Sequence, residues 1–314
     1  MSGIHHVTAI ASNASRNVGF YTRTLGLRLV KKTVNFDDPG TYHLYYGDEQ
    51  GKPGTILTFF PWEHAAPGRN GEGLTEETAF RIPIESIGYW THRLIEQGVP
   101  HQAPEKRFGE SVVAFTDPEG LSLALVGAAG AASEPTWSGG GIPGEHAIRG
   151  FHGVTLMLEK AAPTGAILTG VFGFREAGRE GHLVRYEAAG GGAGHAVTIR
   201  ETGGFLAGRL GRGSVHHIAF RAADDVQQAQ MAKSVRADHR LTPTEQIDRN
   251  YFRSVYFREP GGILFEIATD QPGFAVDEPA ESLGRALKLP AFLEPHRHEI
   301  EAALPPIESS ERAA

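Results

Sequence analysis

The sequence predicts an α+β fold built from four βαβββ units in two tandem halves. Three observations support this prediction. The second half of the chain repeats the first, each repeated unit begins with a strand followed by a helix, and a Gly- and Pro-containing segment separates the halves. The length of 314 residues is typical of about two domains, and the apolar content of 40% allows a large core.

The repeat is visible in three pairs of segments that share nearly the same offset along the chain. The pairs are residues 4–8 with 151–155, 21–28 with 168–175, and 115–121 with 257–263. The halves are therefore related, with small differences in loop length. Residues 1–127 form the N-terminal pair of units, 128–148 have the composition of a linker, 149–270 form the C-terminal pair, and 271–314 form a tail with one helix.

Hydrophobic periodicity places the elements within each unit. In unit one, apolar and polar residues alternate over residues 4–11 as in a half-buried strand, Asn13 can cap a helix, and Gly26 can end it. Short strands then follow over residues 30–36, 42–46 and 56–60. The helices predicted for the later units and the tail cover residues 84–97, 163–171, 224–235 and 294–304.

Composition excludes several classes of function. The net charge of −7, without a basic run that contains aromatic residues, argues against a nucleic-acid partner. No run of about 18 apolar residues predicts a membrane span, and the first residues lack the pattern of a secretory signal. Cysteine is absent, which leaves histidines and carboxylates as the strong metal ligands. We expect a cytoplasmic protein, and the sequence leaves open whether it forms a homo-oligomer.

Glu266 breaks the repeat in a way that packing does not explain. It lies in an apolar strand pattern, and the corresponding residue is Ala124 in unit two and Phe59 in unit one. A buried carboxylate is unfavourable unless it is paired or bound to a metal. An ion pair with an arginine is the structural alternative to a metal site.

Two histidines break the repeat as well. His6 and His217 each occupy the second position of a His-His pair on the first strand of units one and four, where unit three has Gly153 and unit two has Glu77. A residue needed only for packing would recur in all four units. We therefore predict that units one and four form a metal site from His6, His217 and Glu266, and that units two and three form a cup without metal. Two imidazoles and one carboxylate are the ligand set of non-haem Fe(II) oxygenases, and Mn(II) accepts the same set.

Five segments spread over nearly the whole chain carry a resemblance to a known family. They are residues 4–8, 32–48, 216–217, 248–257 and 289–294. These segments resemble hydroquinone dioxygenases that cleave chlorohydroquinone or methylhydroquinone, within the vicinal-oxygen-chelate superfamily of glyoxalases, bleomycin-resistance proteins and extradiol dioxygenases. The resemblance implies that the four units form two curved, incompletely closed mixed sheets.

The resemblance also implies an activity. It implies an Fe(II)-dependent enzyme that uses O₂ to cleave the ring of a small aromatic substrate, a para-diol bound through one oxygen. Residues implied to act beside the metal are Tyr256, Arg249, His5, His216 and Thr8.

Strand geometry predicts different side-chain directions for these residues. Simple alternation places Thr8 on the face of His6 but turns His5 and His216 away from their neighbours. Tyr256 and Arg249 could also be ordinary core and surface residues. No site role is predicted for the other strand and loop histidines, which are expected to be surface or hydrogen-bonded groups: His43, His182, His195 and His239.

Four alternatives remain open at this point. One is extradiol cleavage of a catechol, and a second is a glyoxalase-like isomerase, which commonly carries a second carboxylate ligand. A third is a transferase of the fosfomycin-resistance type, and a fourth is a non-catalytic protein that sequesters an aromatic ligand. Metal analysis and oxygen consumption over a panel of hydroquinones and catechols separate these alternatives.

Overall fold

The computed structural model describes residues 3–307 and contains the four predicted βαβββ units. The elements of units one and two are β1 (Ile4–Ala11), α1 (Ala14–Gly19), β2 (Arg28–Asn35), β3 (Asp38–Gly47), β4 (Ile56–Pro61), β5 (Leu74–Pro83), α2 (Ile87–Glu96), β6 (Glu105–Arg107), β7 (Glu110–Thr116) and β8 (Ser122–Ala128). Those of units three and four and the tail are β9 (Phe151–Leu158), α3 (Ala161–Gly170), β10 (Phe174–Glu180), β11 (Leu183–Ala188), β12 (Ala196–Glu201), β13 (Ser214–Ala222), α4 (Asp225–Ala237), β14 (Ile247–Asp248), β15 (Phe252–Arg258), β16 (Leu264–Pro272) and α5 (Arg297–Ala303).

The predicted signals set the ends of the helices. The side chain of Asn13 accepts a hydrogen bond from the backbone N–H of Arg16, so it caps α1 as expected. A short π-helical segment, Phe20–Thr24, extends this helix until Gly26, whose φ of 69° suits glycine. Asp224 caps α4 by accepting from the backbone N–H of Gln227.

The strands form two open, mixed sheets of eight strands each, as the fold class predicts. The first sheet has the order β14-β15-β16-β13-β1-β4-β3-β2 and combines units one and four. The second has the order β10-β11-β12-β9-β5-β8-β7-β6 and combines units two and three. Each sheet thus draws one unit from each half, with the antiparallel pairs β1–β13 and β5–β9 at the junctions.

The β1–β13 junction contains two bulges at symmetrical positions. Ile4 pairs with Phe220 and His6 with Ala219, so His5 is the extra residue on β1. Thr8 pairs with His217 and Ala9 with Val215, so His216 is the extra residue on β13. A bulge redirects the side chain of the inserted residue. The simple alternation expected at His5 and His216 therefore does not hold.

Apolar packing joins the sheets to the helices and the tail. The largest buried cluster contains side chains from both sheets and from α1 to α4. A smaller cluster joins Val34 of β2 to Leu293 and Ile300 of the tail. The tail is also anchored by Lys31, whose ammonium group is fully buried and lies 2.6 Å from the Asp277 carboxylate. Across the described residues 3–307, no helix is long and apolar enough to span a bilayer.

Candidate metal and substrate site

The three residues that break the repeat meet at the centre of the first sheet. His6 lies on β1, His217 on β13 and Glu266 on β16, which are neighbouring strands. One side-chain ligand atom from each lies within 4.8 Å of the others, and all three side chains are buried. Glu266 Oε2 is 3.3 Å from His6 Nε2 and 2.9 Å from His217 Nε2. The arginine pair considered as an alternative for Glu266 does not occur among the described ion pairs.

The donor atoms form a group that could hold a divalent metal. His217 Nε2 and Glu266 Oε2 are buried without a hydrogen-bond partner in the described part of the chain. Burial lowers the pKa of His217, so its ring loses a proton readily and can then offer a lone pair to a metal. Burial opposes ionisation of Glu266, but the neighbouring His6 and His217 hold its pKa well below the usual range. Two neutral nitrogens and an anionic oxygen that face one another fit a metal ion.

Each of the three donor side chains also makes a hydrogen bond to a neighbouring side chain. Ser254 Oγ donates to Glu266 Oε1 at 2.5 Å. The Nδ1 atoms of His5 and His6 are 2.9 Å apart, and those of His216 and His217 are 2.8 Å apart. If the inner rings offer Nε2 to a metal, their Nδ1–H groups must donate to the outer rings, which fixes the tautomer of all four.

A pocket of about 310 Å³ opens beside the three donors. Its wall is mainly aromatic, and Phe252 packs against His6 with ring centroids 4.9 Å apart. An apolar cavity with a few polar groups is typical of a small-molecule site. The remaining lining residues are Asn35, Phe36, Asp37, His43, Tyr45, Phe60, Trp62, His216, His217, Arg249, Tyr256 and Leu264.

Tyr256 and Arg249 lie on one side of this pocket. Tyr256 pairs with Glu266 in the β15–β16 register, and its ring centroid is 5.8 Å from that of His217. Burial raises the pKa of Tyr256, and the Glu266 charge adds to the effect, so its hydroxyl stays protonated at neutral pH. The guanidinium carbon of Arg249 lies 5.6 Å from the centre of the Tyr256 ring. Both residues can therefore reach a ligand in the pocket.

Thr8 and His43 belong to one hydrogen-bonded chain on the other side. Thr58 Oγ1 donates to Thr8 Oγ1 at 3.0 Å, and His43 Nε2 lies 2.7 Å from Thr58 Oγ1. Because Thr58 donates its hydrogen to Thr8, His43 must donate from Nε2 and accept from the hydroxyl of Tyr45 at Nδ1, 2.8 Å away. His43 is hydrogen-bonded, as expected, but it also lines the pocket, a placement that the sequence analysis missed.

Period-two alternation would have given a signal for the missed residues. His43 and Tyr45 are two apart on β3, and Ser254 and Tyr256 are two apart on β15. Each pair therefore shares one face of its strand. His182 is exposed, and His195 lies in the loop before β12, where its Nδ1 is 2.8 Å from the carbonyl oxygen of Gly192.

The cup of the second sheet has a different chemistry. Glu77 lies 2.8 Å from the guanidinium of Arg107, so this carboxylate is paired with a cation. Ala124 stands where the first sheet has Glu266. A Cβ on Gly153 would come within 2.1 Å of the carbonyl oxygen of Ala196, so glycine is needed there for close strand packing. The cavity of about 570 Å³ is lined mainly by ion-paired and small residues.

Comparison with known proteins gives relatives over the full length. The chain is 47% identical over 309 residues to "Putative ring-cleaving dioxygenase MhqO" of Bacillus subtilis (strain 168), covering 98% of this chain and 97% of that protein. It is 33% identical over 307 residues to "Chlorohydroquinone/hydroquinone 1,2-dioxygenase" of Sphingobium indicum, covering 96% and 95%.

Solved structures give the same picture. A "putative dioxygenase" from Bacillus subtilis superposes with a TM-score of 0.93 at 47% identity, covering 98% of this chain and 97% of that one. Glyoxalase I from Zea mays superposes with a TM-score of 0.63 at 12% identity, covering 86% and 93%, a likeness of fold alone. Residues 3–125 match the Glyoxalase/Bleomycin resistance protein/Dioxygenase superfamily. The chain therefore belongs to this superfamily and, within it, to the ring-cleaving dioxygenases.

Proposed function

We propose that this protein is a non-haem Fe(II)-dependent dioxygenase that cleaves the ring of a hydroquinone-type aromatic compound with O₂. His6, His217 and Glu266 would hold the metal. The observation that carries the proposal is the convergence of these three buried donors at the wall of an aromatic pocket. Mn(II) could replace iron with the same donors.

The donor set fits the chemistry that such a reaction needs. His6, His217 and Glu266 would hold Fe(II) without filling its coordination shell, and the metal would supply the activation of O₂ beside the substrate. One carboxylate serves this set, whereas a glyoxalase-like isomerase commonly uses two. Glu77 is paired with Arg107 in the other sheet, so it is not placed to act as a second ligand.

The side chains around the donors supply the remaining requirements. Phe60, Phe252 and Leu264 line the pocket and would exclude water from the ring of a bound substrate. Tyr256 keeps its proton at neutral pH, so its hydroxyl can donate a hydrogen bond or a proton to an oxygen that gains charge. Arg249 is a permanent cation within reach of the same region.

A para-diol is the substrate class that we propose. Its two hydroxyl groups lie at opposite ends of the ring, so only one can reach the metal, and the pocket must orient the rest. The aromatic walls and the chain of Thr8, Thr58, His43 and Tyr45 offer this orientation. The 33% identical relative named as a hydroquinone dioxygenase supports the same class.

Oxygen uptake tests the proposal directly. The protein is purified without oxygen, loaded with Fe(II) or Mn(II), and assayed in an oxygen electrode with methylhydroquinone, methylcatechol, hydroquinone and catechol. We expect one O₂ to be consumed for each ring opened, with a higher kcat/KM for methylhydroquinone than for the matched methylcatechol. A preference for the catechol would assign extradiol cleavage instead, and metal binding without oxygen uptake on any diol would refute a dioxygenase.

A further inference from the structure

The pocket beside the three donors contains one pair of fixed charges. Among its lining side chains only Arg249 and Asp37 are formally charged at neutral pH, apart from the histidines. Outside the proposed metal centre, the fixed charges that an incoming ligand meets at the mouth are therefore those of Arg249 and Asp37.

These two residues approach each other across the mouth from different units. Asp37 lies in the turn between β2 and β3, and Arg249 lies in the turn between β14 and β15. Asp37 Oδ2 is 3.0 Å from Arg249 Nη2. The Asp37 side chain is 72% exposed and that of Arg249 is 19% exposed. The anion thus sits at the outer rim, and the cation lies further inside.

We infer that Asp37 sets the substrate class by neutralising Arg249, so that the pocket accepts uncharged aromatic diols and excludes their carboxylated counterparts. The inference rests on the proposed function, because it names the kind of hydroquinone that is cleaved. Asp37 acts through Arg249 and is a positioning residue.

The physical argument is electrostatic. An unpaired guanidinium beside an aromatic pocket would be a binding site for a ring carboxylate, since Arg pairs with carboxylates through two parallel hydrogen bonds. Asp37 already pairs with this guanidinium through Nη2, and its negative charge repels a second anion at the mouth. The aromatic part of the wall, including Phe36 and Phe60, favours an uncharged ring.

A role in folding does not account for this pair. An ion pair with one partner so exposed contributes little to stability, because water screens it. The backbone N–H of Asp37 is held by the side chain of Asn35 at 3.0 Å, independently of the Asp37 carboxylate. The turn should therefore keep its shape when the carboxylate is replaced.

The experiment compares two substrates that differ by one carboxylate. Wild-type protein and Asp37→Asn are loaded with Fe(II) and assayed with methylhydroquinone and 2,5-dihydroxybenzoate. Binding of both compounds to the same proteins is measured by calorimetry without oxygen. Glu176→Gln is the matched control, because Glu176 forms an exposed pair with Arg179 in the second sheet, away from the pocket.

We expect Asp37→Asn to raise the preference for 2,5-dihydroxybenzoate over methylhydroquinone by about tenfold or more, in both kcat/KM and affinity. The gain should shrink with added salt, because the mouth is exposed. Glu176→Gln should keep the wild-type ratio.

Two results would overturn the inference. One is an unchanged preference in Asp37→Asn, and the other is a wild-type protein that already prefers the carboxylated compound. A failure of the proposed function looks different, because no hydroquinone would then drive oxygen uptake. The calorimetric ratio would still decide the role of Asp37 in that case.

Discussion

Ser254 offers a sharp test of how the sheet supports the candidate metal site. Its hydroxyl donates to Glu266 Oε1 at 2.5 Å, and both side chains are fully buried. The other carboxylate oxygen, Oε2, faces His6 and His217. Ser254 therefore fixes the rotation of the carboxylate and directs Oε2 toward the shared centre.

Replacing Ser254 with Ala removes the donor and leaves Oε1 buried without a partner. Loss of such an outer hydrogen bond weakens metal binding by about 10–100-fold, or about 1.4–2.8 kcal/mol. We therefore expect Ser254→Ala to release Fe(II) to a competing chelator at a correspondingly lower chelator concentration, measured without oxygen. The fold should survive, because the substitution adds no volume to the core.

Two further variants make this result interpretable. Ser254→Thr keeps the hydroxyl and should retain most of the metal affinity. Ser86→Ala removes an equally buried hydroxyl from unit two, where it contacts His146, and should leave Fe(II) affinity unchanged. An affinity of Ser254→Ala equal to that of the wild type would refute the idea that this hydrogen bond orients the ligand.

Three other predictions follow from the same geometry. Tyr256→Phe should lower kcat by about 10²–10⁴-fold while metal analysis finds full occupancy, and unimpaired turnover would make Tyr256 a packing residue. A fragment of residues 149–314 should bind no stoichiometric Fe(II) in equilibrium dialysis, because His6 lies in the other half; metal binding by the fragment would contradict the shared sheet. Burial lowers the pKa of His195 from 6.5 to about 4. The unfolded chain binds this proton at a higher pH than the folded chain, so the free energy of unfolding falls as the pH is lowered from 6.5 to 4. In urea unfolding, His195→Gln should lose about 2–3 kcal/mol less of this free energy than the wild type over the same pH range, and equal losses would contradict the lowered pKa of His195.

Much of the fold was predictable because the four repeated units of the chain can be compared with one another at equivalent positions. Four copies of one unit expose any residue that packing alone does not explain, and this contrast singled out His6, His217 and Glu266. Gly153 showed that unit three could not share the metal site, which led to the pairing of units one and four. The strand order confirms this pairing, because the strands of units one and four form one sheet and those of units two and three form the other.

The outer histidines were less predictable because their placement depends on backbone irregularity. Period-two alternation turns His5 and His216 away from their neighbours. The two bulges of the β1–β13 junction bring each outer ring into hydrogen-bond contact with the inner one. A bulge needs one extra residue in one strand relative to its partner, and the register of two strands more than 200 residues apart is not visible in either strand alone.

The pocket residues on loops and outer strands were missed for a related reason. Asp37 and Trp62 carry no signal of their own, because their placement depends on how far the sheet curls over the donors. Tertiary curvature brings the β2–β3 turn close to Arg249 of unit four. Such long-range proximity is a property of the closed cup and not of local sequence.

The central claim is that His6, His217 and Glu266 hold one metal ion. Its most direct test is the Fe(II) stoichiometry of the wild type and of His6→Ala, His217→Ala and Glu266→Gln, measured after anaerobic loading and dialysis. Glu77→Gln, which removes a half-buried carboxylate from the other cup, is the control. We predict one ion per chain in the wild type and the control, and loss of stoichiometric binding in the three variants with the fold retained. Full metal content in any of those three variants would contradict the account.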